Sequence, residues 1–272
     1  MQIRIGFDIE LGVTAPTAVI YMLQVHPSHA GALQGGEHIT LTPPLPTDHY
    51  QDGFGNSCAR VHVPAGVSNV RLRNHAVVYD TGWPDPVDLS AREHAAADLP
   101  VETLPFVLPS RYCEVDSELL AFAWANFRNV TPGWPRVQAI CDFVHRHLRF
   151  DYASARPTRT ALEGFREGTG VCRDFAHLAI ALCRCMNIPA RYVTGYLGDI
   201  GVPPVRSPMD FSAWFEAYLG DRWHTFDARH NTPRIGRVVI GRGRDAADVP
   251  ITMVFGANEL RRFEVTTEEA TG

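Results

Sequence analysis

A chain of 272 residues, 45% hydrophobic and 20% charged, has the make-up of an ordinary globular protein with material for one large or two modest domains. A formal net charge of −5, with the basic residues scattered along the chain, gives no electrostatic reason to expect nucleic acid or a membrane surface as partner. No apolar stretch is long enough to span a bilayer and the first residues show no secretory leader pattern, so the cytoplasm is the expected location.

Residues 1–85 read as a series of short strands. Ile3, Ile5, Phe7 and Ile9 alternate with polar or small residues, Thr17 to Val25 and His38 to Leu41 are further apolar runs, and Val67 to Tyr79 continues the pattern. Tyr50 to Asn56 is rich in turn formers and reads as a hairpin connection. Short strands divided by Gly, Pro and Asn predict an N-terminal antiparallel β-sandwich, which serves most simply as a scaffold covering one side of the second domain. The turn-forming Thr81-Gly82-Trp83-Pro84-Asp85-Pro86 then leads into an Ala-rich polar linker, residues 86–109.

The second domain, residues 110–272, opens with Asp116 or Ser117 capping a helix through Leu119, Leu120, Phe122 and Trp124. Another helix runs from about Pro135 to His147, with Val137, Ile140, Cys141 and Val144 on one face. Phe150-Asp151-Tyr152 enters a polar loop, Ser154 to Thr160, expected as one wall of a cleft, with Tyr152 a candidate substrate-binding residue. Gly168 and Gly170 then break the chain, Thr169 is placed to cap a helix, and Cys172 stands at that helix's start. From Phe175 to Met186 the residues are apolar nearly all round, predicting a helix buried on every side. Free backbone N–H groups and the positive end of the dipole favour a thiolate at position 172, which makes Cys172 a candidate nucleophile; a small buried hydrophobe is the alternative role.

Asn187-Ile188-Pro189 stops the helix, and Ala190 to Leu197 reads as a strand. A stiff loop, Gly198 to Asp210, holds Gly201, Pro203, Pro204 and Pro208 and is expected to shape access to the site. Two strands about a turn at Gly220-Asp221 come next, ending in Trp223-His224-Thr225-Phe226-Asp227, with closing strands at Ile251 to Phe255 and Arg262 to Thr266. The six cysteines read as reduced thiols, none in a zinc-like spacing, so neither a metal nor another cofactor is expected.

In order, Gly170-Val171-Cys172-Arg173-Asp174-Phe175-Ala176-His177-Leu178, Ile188-Pro189-Ala190-Arg191-Tyr192-Val193-Thr194-Gly195-Tyr196, Ala213-Trp214-Phe215-Glu216-Ala217-Tyr218 and Phe226-Asp227 resemble the catalytic core of the transglutaminase-like superfamily. Asp52-Gly53-Phe54-Gly55-Asn56 and Gly241 to Val249 are similar to the bacterial members. The resemblance implies an α+β protein in which a papain-like core, a buried helix packed on an antiparallel sheet, succeeds the β-sandwich. It also implies that Cys172 attacks the carbonyl of a peptide or protein amide, that a histidine just before Ala213-Trp214 acts as base, and that Asp227 orients it. Trp214 becomes a second candidate substrate-binding residue.

That histidine is absent, for the expected position holds Ser212. Serine cannot take a proton from a thiol near neutral pH. With Gly220-Asp221 as a two-residue turn, Leu219 pairs with Arg222, and Ser212 shares a sheet face with Asp227 whereas His224, three residues from Asp227, points the other way. His224 is therefore expected as a half-exposed strand residue. His230 is the better substitute base, because the strand ends before Pro233 and a turn there can swing the imidazole back. His177 is expected as a hydrogen-bonded core residue, His145 and His147 on the surface. Three readings are open: a cysteine-dependent amide hydrolase or acyl transferase, a catalytically impaired relative that keeps the cleft for peptide binding, and an assembly protein acting through the sandwich. The oligomeric state stays open.

Overall fold

The computed structural model describes residues 1–205 and 209–270. Seven strands come first: β1 (Gln2–Val13), β2 (Thr17–Tyr21), β3 (Leu33–Gln34), β4 (Thr40–Thr42), β5 (Thr47–Gln51), β6 (Ser57–Val63) and β7 (Asn69–Tyr79). After a connection with little regular structure come α1 (Glu118–Phe127), α2 (Trp134–His147), β8 (Arg149–Phe150), α3 (Ala161–Glu167), β9 (Thr169–Gly170), α4 (Cys172–Cys185), β10 (Ala190–Tyr196), β11 (Ser212–Leu219), β12 (Arg222–Phe226), β13 (Val238–Gly243), β14 (Thr252–Val254) and β15 (Asn258–Glu269).

The β-rich part is two antiparallel sheets. One runs β15-β1-β7-β3 with β4 also on β7, and the other runs β14-β2-β6-β5. In β1 the alternation does what the sequence pattern implies: Ile3, Ile5, Phe7, Ile9 and Leu11 are buried, and they share a hydrophobic cluster with Val19, Val61 and Val63 of the second sheet. The last two strands return to pair with the first two, β15 along β1 from Ile3↔Glu269 to Val13↔Asn258 and β14 along β2. Residues 110–272, expected as one core, thus send their final strands into both N-terminal sheets. Pairings this distant in sequence leave no local signal.

A third antiparallel sheet, β12-β11-β10-β13, carries α4 on the face formed by Ala213, Phe215, Ala217 and Leu219. Every α4 residue from Asp174 to Cys185 is buried. Those include Arg184, whose guanidinium is held by the Leu108, Ala190 and Arg244 carbonyls and the Ser110 hydroxyl. The register of the hairpin is the one the turn predicts, with Leu219↔Arg222 and Phe215↔Phe226. Among the described residues no helix is long and apolar enough to cross a membrane.

Candidate active site

The start of α4 is fixed by charge rather than by the expected Thr169 cap. Thr169 lies in β9, its hydroxyl bonded to the Arg149 carbonyl at 3.1 Å. The N-cap is Val171, whose N–H donates 2.9 Å to Oδ2 of Asp174, reaching back from the first turn. Arg159 donates to the same oxygen at 2.9 Å and to the Ser154 carbonyl at 2.8 Å, tying the expected wall, residues 154–160, to the helix start. Gly170 makes room for this cap, since a Cβ there would lie 2.6 Å from Asp174 Cβ.

The result holds Cys172 at the first position of α4. Of the six cysteines, all free, it is half-buried and the other five are buried. Backbone N–H groups of Arg173 and Ala213 address the sulfur. The thiol is nonetheless not lowered as the dipole argument predicts: burial pushes it up to about 11, with the Arg229 guanidinium pulling down and Asp210 pushing up. Desolvation is the largest of these influences.

A pocket of ≈ 180 Å³ is lined by Phe150, Tyr152, Asp210, Ser212, Arg229 and His230 among others, and Asp210, Arg229 and Tyr152 are also the groups whose charges couple to Cys172. Tyr152 and Ser212 thus line one pocket, and Arg229 stacks over the Phe150 ring at 3.8 Å. Of the expected access loop, residues 206–208, Pro208 among them, lie outside the described residues.

The His230 ring is turned onto Asp227. After β12 the chain makes a tight turn in which the Asp227 carbonyl accepts the Asn231 N–H at 2.8 Å, with Asn231 at a φ of 53°. Asp227 Oδ1 accepts the backbone N–H groups of Arg229 and His230, each at 3.0 Å. Its Oδ2 accepts His230 Nδ1–H at 2.9 Å, which leaves Nε2 as the basic nitrogen. From α2, His145 donates to the Arg229 carbonyl at 2.9 Å, and Asn231 donates to Asp142 at 2.8 Å. Burial opposes ionisation of Asp227, but Arg237 and the His230 bonds outweigh it and hold the carboxyl well below the ordinary range.

Other histidines fall elsewhere. His224 is buried rather than half-exposed, its Nε2 on the Leu219 carbonyl at 3.1 Å, away from the cleft. His177 is fully buried, stacked on Tyr112, with Nε2 accepting the Ala246 N–H at 3.1 Å. His145 is exposed, but His147 is half-buried and donates to the Phe165 carbonyl at 2.7 Å. Trp214 is buried and clusters with Val193 and Val239 on the sheet face away from α4, where the Arg237 guanidinium lies 4.8 Å above its ring. Through Arg237 it supports Asp227 indirectly, and it does not line the pocket that holds Ser212 and His230.

Residues 123–228 match the core model of the transglutaminase-like superfamily. A Mycobacterium tuberculosis H37Rv protein, described only as uncharacterized, is 30% identical over 236 residues, 78% of this chain and 74% of the relative. The chain belongs to the transglutaminase-like superfamily. An uncharacterized Mycobacterium leprae relative is 27% identical over 164 residues, and the match spans 58% of its length. The crystal structure of a proposed cysteine protease from Cytophaga hutchinsonii is 30% identical and superposes with a TM-score of 0.82, over 98% of this chain and 90% of that one.

Within this transglutaminase-like site, sequence reasoning missed Asp174, Arg229 and Arg237. Asp174 was open to discovery, since a carboxylate at the third helical position is a known cap signal. Arg237 lay outside any local pattern, ten residues past Asp227. Among the described residues no three His, Cys, Asp or Glu side chains gather as a metal site would need.

Proposed function

We propose that the protein is a cysteine-dependent amide hydrolase or acyl transferase acting on peptide or protein substrates through a thioester on Cys172, with His230 as base. The reading rests chiefly on the Asp227–His230 bond at 2.9 Å in the pocket that also holds Ser212. Asp227 keeps the role its family position implies, orienting an imidazole, but the imidazole comes from its own turn.

With the thiol raised to about 11, Cys172 is protonated near neutral pH, and catalysis runs by proton transfer during attack rather than from a stored ion pair. His230 Nε2 takes the thiol proton as sulfur bonds to the amide carbon. The imidazolium, held by Asp227, then returns the proton to the departing amine as the C–N bond breaks, leaving the thioester. Water or an amine attacks the thioester carbon, giving up its proton to His230, which passes it to the Cys172 sulfur as the C–S bond breaks. Tyr152 and Arg229 border the space where the carbonyl oxygen becomes negative.

A second reading is favoured by Ser212 and by the raised thiol: the cleft binds a peptide without cleaving it. The test is acylation by an activated amide or ester probe, read by intact mass. A wild-type rate well above that of Cys172→Ala supports the enzyme. Equal rates, with peptide binding retained, support the binding module.

A further inference from the structure

We infer that Asp85, in the connection ahead of the core, is a positioning residue that occupies Arg237 so that Asp227 keeps a net negative charge for the His230 imidazolium. This rests on the reading of His230 as base. Asp85 and Arg237 both lie outside the matched stretch 123–228.

The Arg237 side chain is 6% exposed and sits between two carboxylates. Its Nε donates to Asp85 Oδ2 at 2.8 Å and its Nη2 to Asp227 Oδ2 at 2.9 Å, the same oxygen that receives His230. Arg237 and Asp227 alone form a neutral pair with nothing left to hold an imidazolium. Asp85 restores one negative charge, and protonated His230 balances it. Asp85, Arg237 and Asp227 are all largely buried, so water screens that difference less than it would at the surface.

Asp85 is itself held in place. Its N–H donates to the Arg234 carbonyl at 2.8 Å, and its Oδ2 accepts the Arg234 N–H at 2.9 Å. The Trp214 ring under the guanidinium keeps Arg237 from turning away. Other charged and titratable groups also face the pair. Arg229 and Arg234 come from the loop after β12, with Asp199 opposite Arg234 at 3.7 Å and Asp210 opposite Arg229. Tyr152 lines the pocket with His230 and lies near Cys172, and Cys141, Asp142 and His145 approach from α2. The first two arginines thus each have an acid of their own, and Arg237 is the cation whose balance is set by Asp85.

The test is NMR titration of the His230 ring in the full chain, its signals assigned by comparison with His230→Ala. Asp85→Asn is expected to move the ring titration to lower pH, and Arg237→Gln to move it to higher pH. Loosening of the structure would not give opposite signs. An unmoved ring titration in both variants, or a fall in thermal stability alone, overturns the inference. A shifted ring titration together with an unchanged acylation rate in His230→Ala would sink the base assignment while leaving the Asp85 inference standing.

Discussion

Asp227 grips His230 at two points, its Oδ1 on the backbone N–H at 3.0 Å and its Oδ2 on the ring Nδ1 at 2.9 Å. The carboxylate that orients the base also builds the turn that presents it. Loss of the ring and loss of the carboxylate should therefore have different consequences.

His230→Ala removes the ring and leaves the turn's backbone bonds in place. The Cys172 acylation rate should fall about 10²–10⁴-fold, the usual contribution of a general base. Adding Ser212→His to that variant should recover part of the rate, because Ser212 lies in the same pocket and Asp227 Oδ2 would be free of its own histidine. Stopped-flow acylation of wild type and the two variants measures both effects. Activity confined to variants carrying Ser212→His would mean that His230 does not serve as base.

Asp227→Asn keeps an oxygen for the turn's N–H groups but loses the ring bond and the Arg237 pair together. Removing one member of a buried ion pair costs about 3–5 kcal/mol, visible in urea denaturation at neutral pH. The sign with pH comes from the depressed carboxyl. Its stabilisation is complete above the ordinary aspartate value of 3.8 and is lost as pH falls below it toward the folded-state value. The wild-type stability advantage over Asp227→Asn should therefore shrink on acidification below that point.

Gly170→Ala places a methyl against Asp174, with 2.6 Å available between the Cβ atoms. Displacing the cap should cost about 1–3 kcal/mol and disturb the thiol two residues on. Thermal melting reports the first effect. The second would appear as a slower acylation rate in folded protein.

His26 titrates in the opposite sense to the usual histidine partner. Its Nδ1 accepts the Ser28 N–H at 3.1 Å and faces Arg242 at 3.1 Å. Burial first, then Arg242, lowers it to about 4. The unfolded chain takes up the proton near 6.5 and the folded one near 4, so this contribution is complete above 6.5 and is lost as pH falls from 6.5 to 4. His26→Asn keeps a capping acceptor without the titration. Its melting temperature should drop less than that of wild type between neutral pH and pH 5.

Local features were legible in the sequence. The cysteine at a helix start, the hairpin register about Gly220-Asp221 and the turn that carries His230 before Pro233 come from capping, strand parity and turn chemistry over a few residues. Trp214, taken as a substrate-binding candidate from its place in the family motif, packs with Val193, Val239 and Arg237 instead, and which sheet face meets α4 is set by tertiary packing. The fall of the thiol's acidity could not be read because burial depends on everything packed around position 172. Arg237 and Asp85 meet across 152 positions of chain, and β15 meets β1 across a longer span still.

Proton transfer from Cys172 to His230 is the central claim, and the pH dependence of Cys172 acylation tests it most directly. Wild type should react through the neutral range far faster than His230→Ala, with a rising limb that disappears in the variant. A wild-type profile that overlays His230→Ala, climbing only as pH nears the thiol's own value of about 11, would contradict it.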